Sequence, residues 1–414
     1  MVITVAIEHK TEQGLIGKVP RRFYAPEMDA LRFLAFMLVF MRHVGSAFGF
    51  VTKSKTDLLP SVNIVAAGTR TTSSLLHRIN LPELVQTLDF GVCLFFFLSA
   101  FLITRLLLIE REATGEVSVV RFYKRRALRI WPLYFFFIGL ILALTPYFPV
   151  LRVSPARVLA AIFFIGNWAA VIHGWSGMAI QPLWSVSVEE QFYAVWPIFA
   201  RRGRQVIIAV SAAMMLLAVA TLTYLGHHSS HEVTDTWPNT LVQGLFLGAG
   251  ALTACVSFPE HRWLSIKTRL GLFTTGLLCW IGASAGCHIV RTHSPGSFSL
   301  VAGYGLVLAG TVLIFSAIAG WTACVVPAWL LYLGKISYGL YVFHVACLLL
   351  SEQVMRASLF FWHGQSLSPY LVETLSTMLG LLLTITCASL TYRFLERPFL
   401  KLKDRFSTVP SRPL

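Results

Sequence analysis

Eleven apolar segments, most of them about 20 residues long, follow one another along the 414-residue chain. They run over 29–49, 88–109, 128–148, 155–173, 184–200, 205–226, 239–257, 269–289, 299–320, 328–350 and 371–395. A bilayer core about 30 Å thick takes about 20 helical residues to cross, and a helix satisfies its own backbone polar groups there. The predicted fold class is therefore all-α, a polytopic membrane helix bundle. Charged residues make up 13% of the chain, about half the share in soluble domains. The polar stretches between the apolar runs leave no room for a large soluble domain.

The formal net charge of +15 is concentrated in five places. These are Lys18, Arg21 and Arg22; Arg111, Arg121, Lys124, Arg125, Arg126 and Arg129; Arg201, Arg202 and Arg204; Arg262, Lys267 and Arg269; and Lys401, Lys403 and Arg405. Short basic loops are what positive-inside topology produces, so the charge points to membrane lipids as partners rather than to nucleic acid. All five clusters are expected on the cytoplasmic side. Three apolar segments separate the second cluster from the third, and an odd number of crossings cannot join two points on one side. One of 155–173 and 184–200 is therefore expected to be re-entrant or interfacial. The count becomes about ten transmembrane helices with both termini cytoplasmic, which places the loop at 50–87 and the histidines 227, 228 and 231 outside. The first 27 residues lack the apolar run and cleavage site of a secretory signal peptide. None of the seven cysteines forms a CxxC pair, and most lie inside apolar runs, which reads as packing rather than metal or disulfide chemistry.

Ionisable residues inside the apolar segments are costly unless they face protein or water, so they mark the chemistry. Arg32 and His43 lie eleven residues apart, three turns plus about 20°, on nearly one face of a helix and about 16 Å apart along it. Imidazole can take a proton or attack an acyl carbon, whereas guanidinium stays charged and suits an anion. Asp29, one turn before Arg32, is placed to orient it. Arg126 and Arg129, three apart, share a helix face suited to phosphate. Glu189 and Glu190 sit in Trp184-Ser-Val-Ser187-Val-Glu-Glu-Gln-Phe-Tyr193, amid apolar runs. Ser337, Tyr341 and His344 fall on one face further on. Glu396 in Tyr392-Arg-Phe-Leu-Glu-Arg-Pro398 reads as half of a structural ion pair.

These motifs together resemble the acyltransferase-3 family of integral membrane proteins. Met28-Asp-Ala-Leu-Arg32 with His43 resembles the opening motif and its Arg-x10-His spacing. Phe90 to Ile103 resembles the second-helix signature, and Arg126-x-x-Arg129 with Pro132 the basic motif. Trp184 to Tyr193 is the most specific match, and Ile336 to His344 and Tyr392 to Pro398 complete the set. Ala30 and Ala100 stand where the family often has Gly, and Arg42 beside His43 is unusual.

The resemblance implies a cytoplasmic arm at 1–27, a membrane acyltransferase domain at 28–400 and a cytoplasmic tail at 401–414. It also implies a bacterial inner-membrane enzyme that moves an acyl group, usually acetyl, from cytosolic acyl-CoA to a hydroxyl of a glycan or glycosylated small molecule, with no metal. Lipopolysaccharide O-antigen is the first acceptor to expect, and exopolysaccharide is another. The roles implied are His43 as base or acyl carrier, with Glu189 orienting it or sharing its proton. Arg126 and Arg129 hold the donor phosphates and Arg32 an anionic part nearer the channel. Trp184, Ser187, Tyr193 and His344 line the acceptor side. The rival reading is a glycan or lipid transporter that moves its substrate without covalent chemistry.

Overall fold

The computed structural model describes residues 25–47, 85–228, 236–256, 264–289, 296–321, 326–361 and 369–407. The N-terminal arm to residue 24, most of the 50–87 loop and His231 lie outside the described residues. Every regular element among the described residues is helical. In chain order the α-helices are α1 (Pro26–Ala47), α2 (Gly91–Thr114), α3 (Val119–Leu144), α4 (Pro155–Ile162), α5 (Gly166–His173), α6 (Leu183–Ala200) and α7 (Arg204–His228). They continue with α8 (Thr240–Cys255), α9 (Ile266–Ile281), α10 (Ser297–Ile318), α11 (Ala328–Lys335), α12 (Ser337–Phe361), α13 (Pro369–Thr391) and α14 (Arg397–Asp404).

Six helices among the described residues are long and apolar enough to cross a membrane, against the ten spans expected. The shortfall has physical causes. Helices α8 and α9 hold 16 residues each, about 24 Å of rise. Helix α1 carries Asp29, Arg32 and Arg42, and α6 carries Glu189 and Glu190, so the residues that mark the site also lower the apolarity of their helices.

Of the two segments of which one is expected to be re-entrant or interfacial, 155–173 is the broken one. Residues 155–173 form two helices of eight residues each, neither of them long enough to cross, while Leu183–Ala200 is one helix of 18 residues. The bend between α4 and α5 puts Phe164 at φ +54°, unusual for a residue with a Cβ. A polar knot holds that bend. The Gln191 amide donates to the Phe164 carbonyl and to Asn167 Oδ1, each at 2.8 Å. Asn167 donates to Thr240 Oγ1 at 2.9 Å, and Thr240 donates back to Gln191 Oε1 at 2.6 Å. One glutamine of α6 thus fastens the broken helix to α8.

Helix α2 forms the centre. Of its most apolar window 72% is buried inside the protein, against 22% for the equally apolar α7, whose Leu216 and Leu217 face outward. The same residue types are thus used for protein packing in one helix and for lipid contact in the other. Helix α8 approaches α2 so closely at Gly250 that a Cβ there would lie 2.2 Å from the Phe97 carbonyl oxygen. Helix α1 packs against α2, α11 and α12, and α3 against α6 and α14. Four helices, α1, α2, α3 and α6, therefore meet with α12 around one polar interior.

Candidate active site

That interior contains a cavity. Arg32 reaches it from α1, Ser99 from α2, Arg126 and Arg129 from α3, and Glu189 and Tyr193 from α6. Ser337, Tyr338 and Tyr341 close it from the start of α12. The α6 contribution follows helical period: Ser185, Glu189 and Tyr193 recur every four residues on one stripe.

Three guanidiniums and one carboxylate share this space. The Tyr193 hydroxyl donates to Glu189 Oε2 at 2.8 Å, and Ser99 in turn hydrogen-bonds to Tyr193. Arg126 lies over the rings of Phe122 and Tyr193, 5.7 Å from each centroid, and its buried Nε has no hydrogen-bond partner among the described residues. A buried cation held by aromatic faces with a donor left open is arranged for an anion from outside the protein. Its neighbour Arg125 does something else. It pairs with Glu110 at 2.6 Å and donates to the Phe406 carbonyl, tying α2 and α3 to the chain after α14.

His43 lies three turns beyond Arg32 on α1 and belongs to a second cluster. The imidazole of His344 packs edge-on against it, with centroids 4.8 Å apart. His344 Nδ1 sits 2.6 Å from the Tyr341 carbonyl, so that nitrogen carries the proton and Nε2 of the neutral ring accepts. His43 Nδ1 sits 2.8 Å from the Val39 carbonyl and 3.3 Å from His344 Nε2, two acceptors. The proton of neutral His43 is thereby assigned to Nδ1 and the lone pair to Nε2. Arg42 turns to Asp89, at 2.8 Å, just before α2. Tyr341 joins the clusters: its ring is 5.5 Å from that of His344, and its hydroxyl accepts a 2.7 Å bond from Ser185 in the cavity wall.

Several expected residues fall elsewhere. Ser187 donates to the Leu183 carbonyl at 3.1 Å within its own helix, and Trp184 packs among Phe96, Trp175 and Trp237. Neither lines the cavity. Glu190 points away from Glu189 and accepts from Trp131 at 3.1 Å. Glu396 forms no ion pair among the described residues. It is buried in a π-turn, Tyr392–Glu396, with Oε1 unpartnered. His227 and His228 bond to carbonyls of their own helix, and no metal-holding group occurs among the described residues. Ser99, Ser185 and Tyr338 are the wall residues that sequence reasoning passed over. Their signal was spacing, since Ser99 follows Phe95 and Val92 at helical intervals and Ser185 precedes Glu189 by four.

Comparison with known proteins then adds what geometry alone does not. Residues 26–393 match the family model described as an acyltransferase domain. O-acetyltransferase OatA of Staphylococcus aureus is 28% identical over 334 residues, covering 75% of this chain and 52% of that protein. Peptidoglycan O-acetyltransferase OatA of Listeria monocytogenes is 24% identical over 336 residues, covering 75% of this chain and 51% of that protein. The chain thus spans about half the length of these curated relatives. No solved structure matches it.

Proposed function

Because the chain belongs to the acyltransferase family whose domain model covers residues 26–393, we propose that it transfers an acyl group, acetyl first, from acyl-CoA to a hydroxyl of a cell-envelope glycan. The observation that carries this reading is the cavity shared by Arg32, Arg126, Arg129 and Glu189, with His43 three turns away along α1. A phosphate-rich donor with a long flexible arm and a reactive far end suits two stations set apart in this way. Arg126 and Arg129 hold the phosphates, and Arg32 holds an anionic group deeper in the cavity. Tyr193 and Glu189 keep the guanidiniums apart and in register. The arm passes Tyr341 to bring the thioester to His43.

At that point Nε2 of His43 takes the acceptor's hydroxyl proton as the oxygen attacks the thioester carbonyl. The carbon–sulfur bond breaks, and the CoA thiolate recovers a proton from the imidazolium. The covalent variant, in which Nε2 accepts the acyl group first, uses the same nitrogen. His344 holds His43 in the required tautomer. The protein works in the bacterial plasma membrane with both termini cytoplasmic, and its membrane domain occupies 28–400.

The first experiment is transfer of radiolabelled acetyl from acetyl-CoA by the purified protein, with peptidoglycan fragments and lipopolysaccharide O-antigen as separate acceptors. The Listeria relative's name puts peptidoglycan first. His43→Ala lowers transfer by at least about a hundredfold, in the range of losing a general base, while the protein still inserts. Near-normal transfer in that variant removes His43 from the chemistry. Movement of an unmodified glycan with no label incorporated would instead identify a transporter. Arg126→Ala raises the KM for acyl-CoA roughly tenfold to a hundredfold, as loss of a charged hydrogen bond does, and leaves kcat nearly unchanged. An unchanged KM excludes Arg126 as the phosphate holder.

A further inference from the structure

A second cavity lies where the C-terminal turns of α2 meet the start of α7 and the last turn of α8. It is separate from the candidate active site. Arg105, on its wall, is nine residues beyond Phe96 on α2, which turns it about 180° away from the first cavity. Arg105, Arg111 and Arg204 line it together with one acidic residue, Glu112.

The cationic side chains here are brought in by the fold and left unneutralised. Arg111 donates to the Arg201 carbonyl at 2.7 Å. Its guanidinium lies over Gly203, where φ is +111° and a Cβ would sit 2.8 Å from Nη1, so a glycine at this turn makes room for the charge. Arg105 and Arg204 make no hydrogen bond or ion pair among the described residues, and Glu112 pairs with none of the three arginines. Three like charges around one cavity with a single carboxylate leave a net positive field. An anion relieves it.

The rest of the lining identifies the kind of anion. Leu108, Ala254 and Cys255 make part of the wall apolar. Along α7 from Arg204, Ile208 (39% exposed) and Val219 (38% exposed) stand four and fifteen residues on, within about 60° of it around the helix, and form an outward apolar stripe below the charge. Both α2 and α7 are among the helices able to cross a membrane. A cationic cup at the ends of spanning helices, continuous with a lipid-facing stripe, fits a phosphate head with acyl chains attached. We propose that this cavity binds the headgroup phosphate of an anionic phospholipid, with a chain lying along the Ile208–Val219 face of α7.

The test uses the full chain released from nanodiscs containing equal phosphatidylglycerol and phosphatidylcholine, with retained lipid counted by native mass spectrometry. The wild type retains phosphatidylglycerol preferentially. The Arg105→Gln/Arg204→Gln double variant retains roughly thirtyfold less, as two lost surface-lipid charges imply, and Arg105→Lys/Arg204→Lys keeps most of it. Equal retention by the wild type and the Gln variant overturns the proposal. So does displacement of the lipid by millimolar inorganic phosphate or acetyl-CoA, which would assign the cavity to a soluble phosphate compound. If the Gln variant does not fold, the wild type decides alone: phosphatidylglycerol must raise its Tm more than phosphatidylcholine does, and equal shifts overturn the proposal. None of these readouts depends on acyl transfer, so failure here leaves the proposed reaction standing, and failure of that reaction leaves the lipid site standing.

Discussion

The hydrogen bond from His43 Nδ1–H to His344 Nε2 is long, 3.3 Å, because that proton is shared with the Val39 carbonyl, and the Tyr341 carbonyl holds the proton of His344 on its Nδ1. In the proposed reaction His344 has a positioning role. In His344→Ala, kcat is expected to fall by roughly ten- to a hundredfold while the KM for the donor stays constant, because the proposed phosphate site is three turns away. A substitution that only loosened the bundle would move both constants. His344→Gln restores part of the rate, since its amide oxygen can accept from Nδ1–H. The Arg32 and His43 stripe was readable because 3.6-residue periodicity and the cost of buried charge are local rules. The pairing of His43 with His344 was not, since it joins residues 301 apart and depends on how α1 and α12 cross. Ser187, expected on the acceptor side, lies off this cavity for a local reason. It is two residues from Ser185, about 200° round the helix, so the two hydroxyls cannot face the same cavity. Glu396 misled through its neighbours: Arg393 and Arg397 flank it in sequence, but the π-turn buries the carboxylate without either as an ion-pair partner.

At the scale of elements, charge bookkeeping required one non-crossing segment between the Arg129 and Arg201 clusters, and the structure breaks 155–173 into α4 and α5. What charge could not show is the device that stabilises the break. Gln191 satisfies the Phe164 carbonyl, Asn167, Trp168 and Thr240 at once, so Gln191→Ala leaves four part-buried polar groups short of a partner. The expected cost is about 1–3 kcal/mol, read as a lower Tm in detergent, because an unsatisfied buried group loses its full hydration. Protease or deuterium-exchange sensitivity rises first at 163–167. A uniform rise along the chain would place the knot's contribution elsewhere. The length of helices was also only partly readable. Apolar runs mark where helices are, but α11 and α12 divide one expected span, 328–350, at Ile336, and the division brings Ser337, Tyr338 and Tyr341 to the cavity wall.

For the molecule as a whole, α2 is the axis on which the rest is assembled, and its contact with α8 has no slack. Gly250→Val places methyl groups into the Phe97 carbonyl and lowers stability by at least about 1–3 kcal/mol, with transfer lost in proportion to the unfolded fraction. Gly305→Ala, inside α10 and meeting nothing within 4 Å, serves as the control and leaves the Tm unchanged or slightly raised. Equal melting of the two variants contradicts the packing described. Global class was the most legible property of this sequence, because a bilayer imposes its thickness on every segment that crosses it. Which helices become neighbours was the least legible, because apolar faces of similar composition serve equally for lipid and for protein. The pairing of His43 with His344 has a further consequence for biogenesis. Translation delivers α1 first and α12 only 301 residues later, counted between the two rings. A nascent chain therefore holds one imidazole without its companion while the intervening helices are made, and the two rings can meet only once α12 has followed.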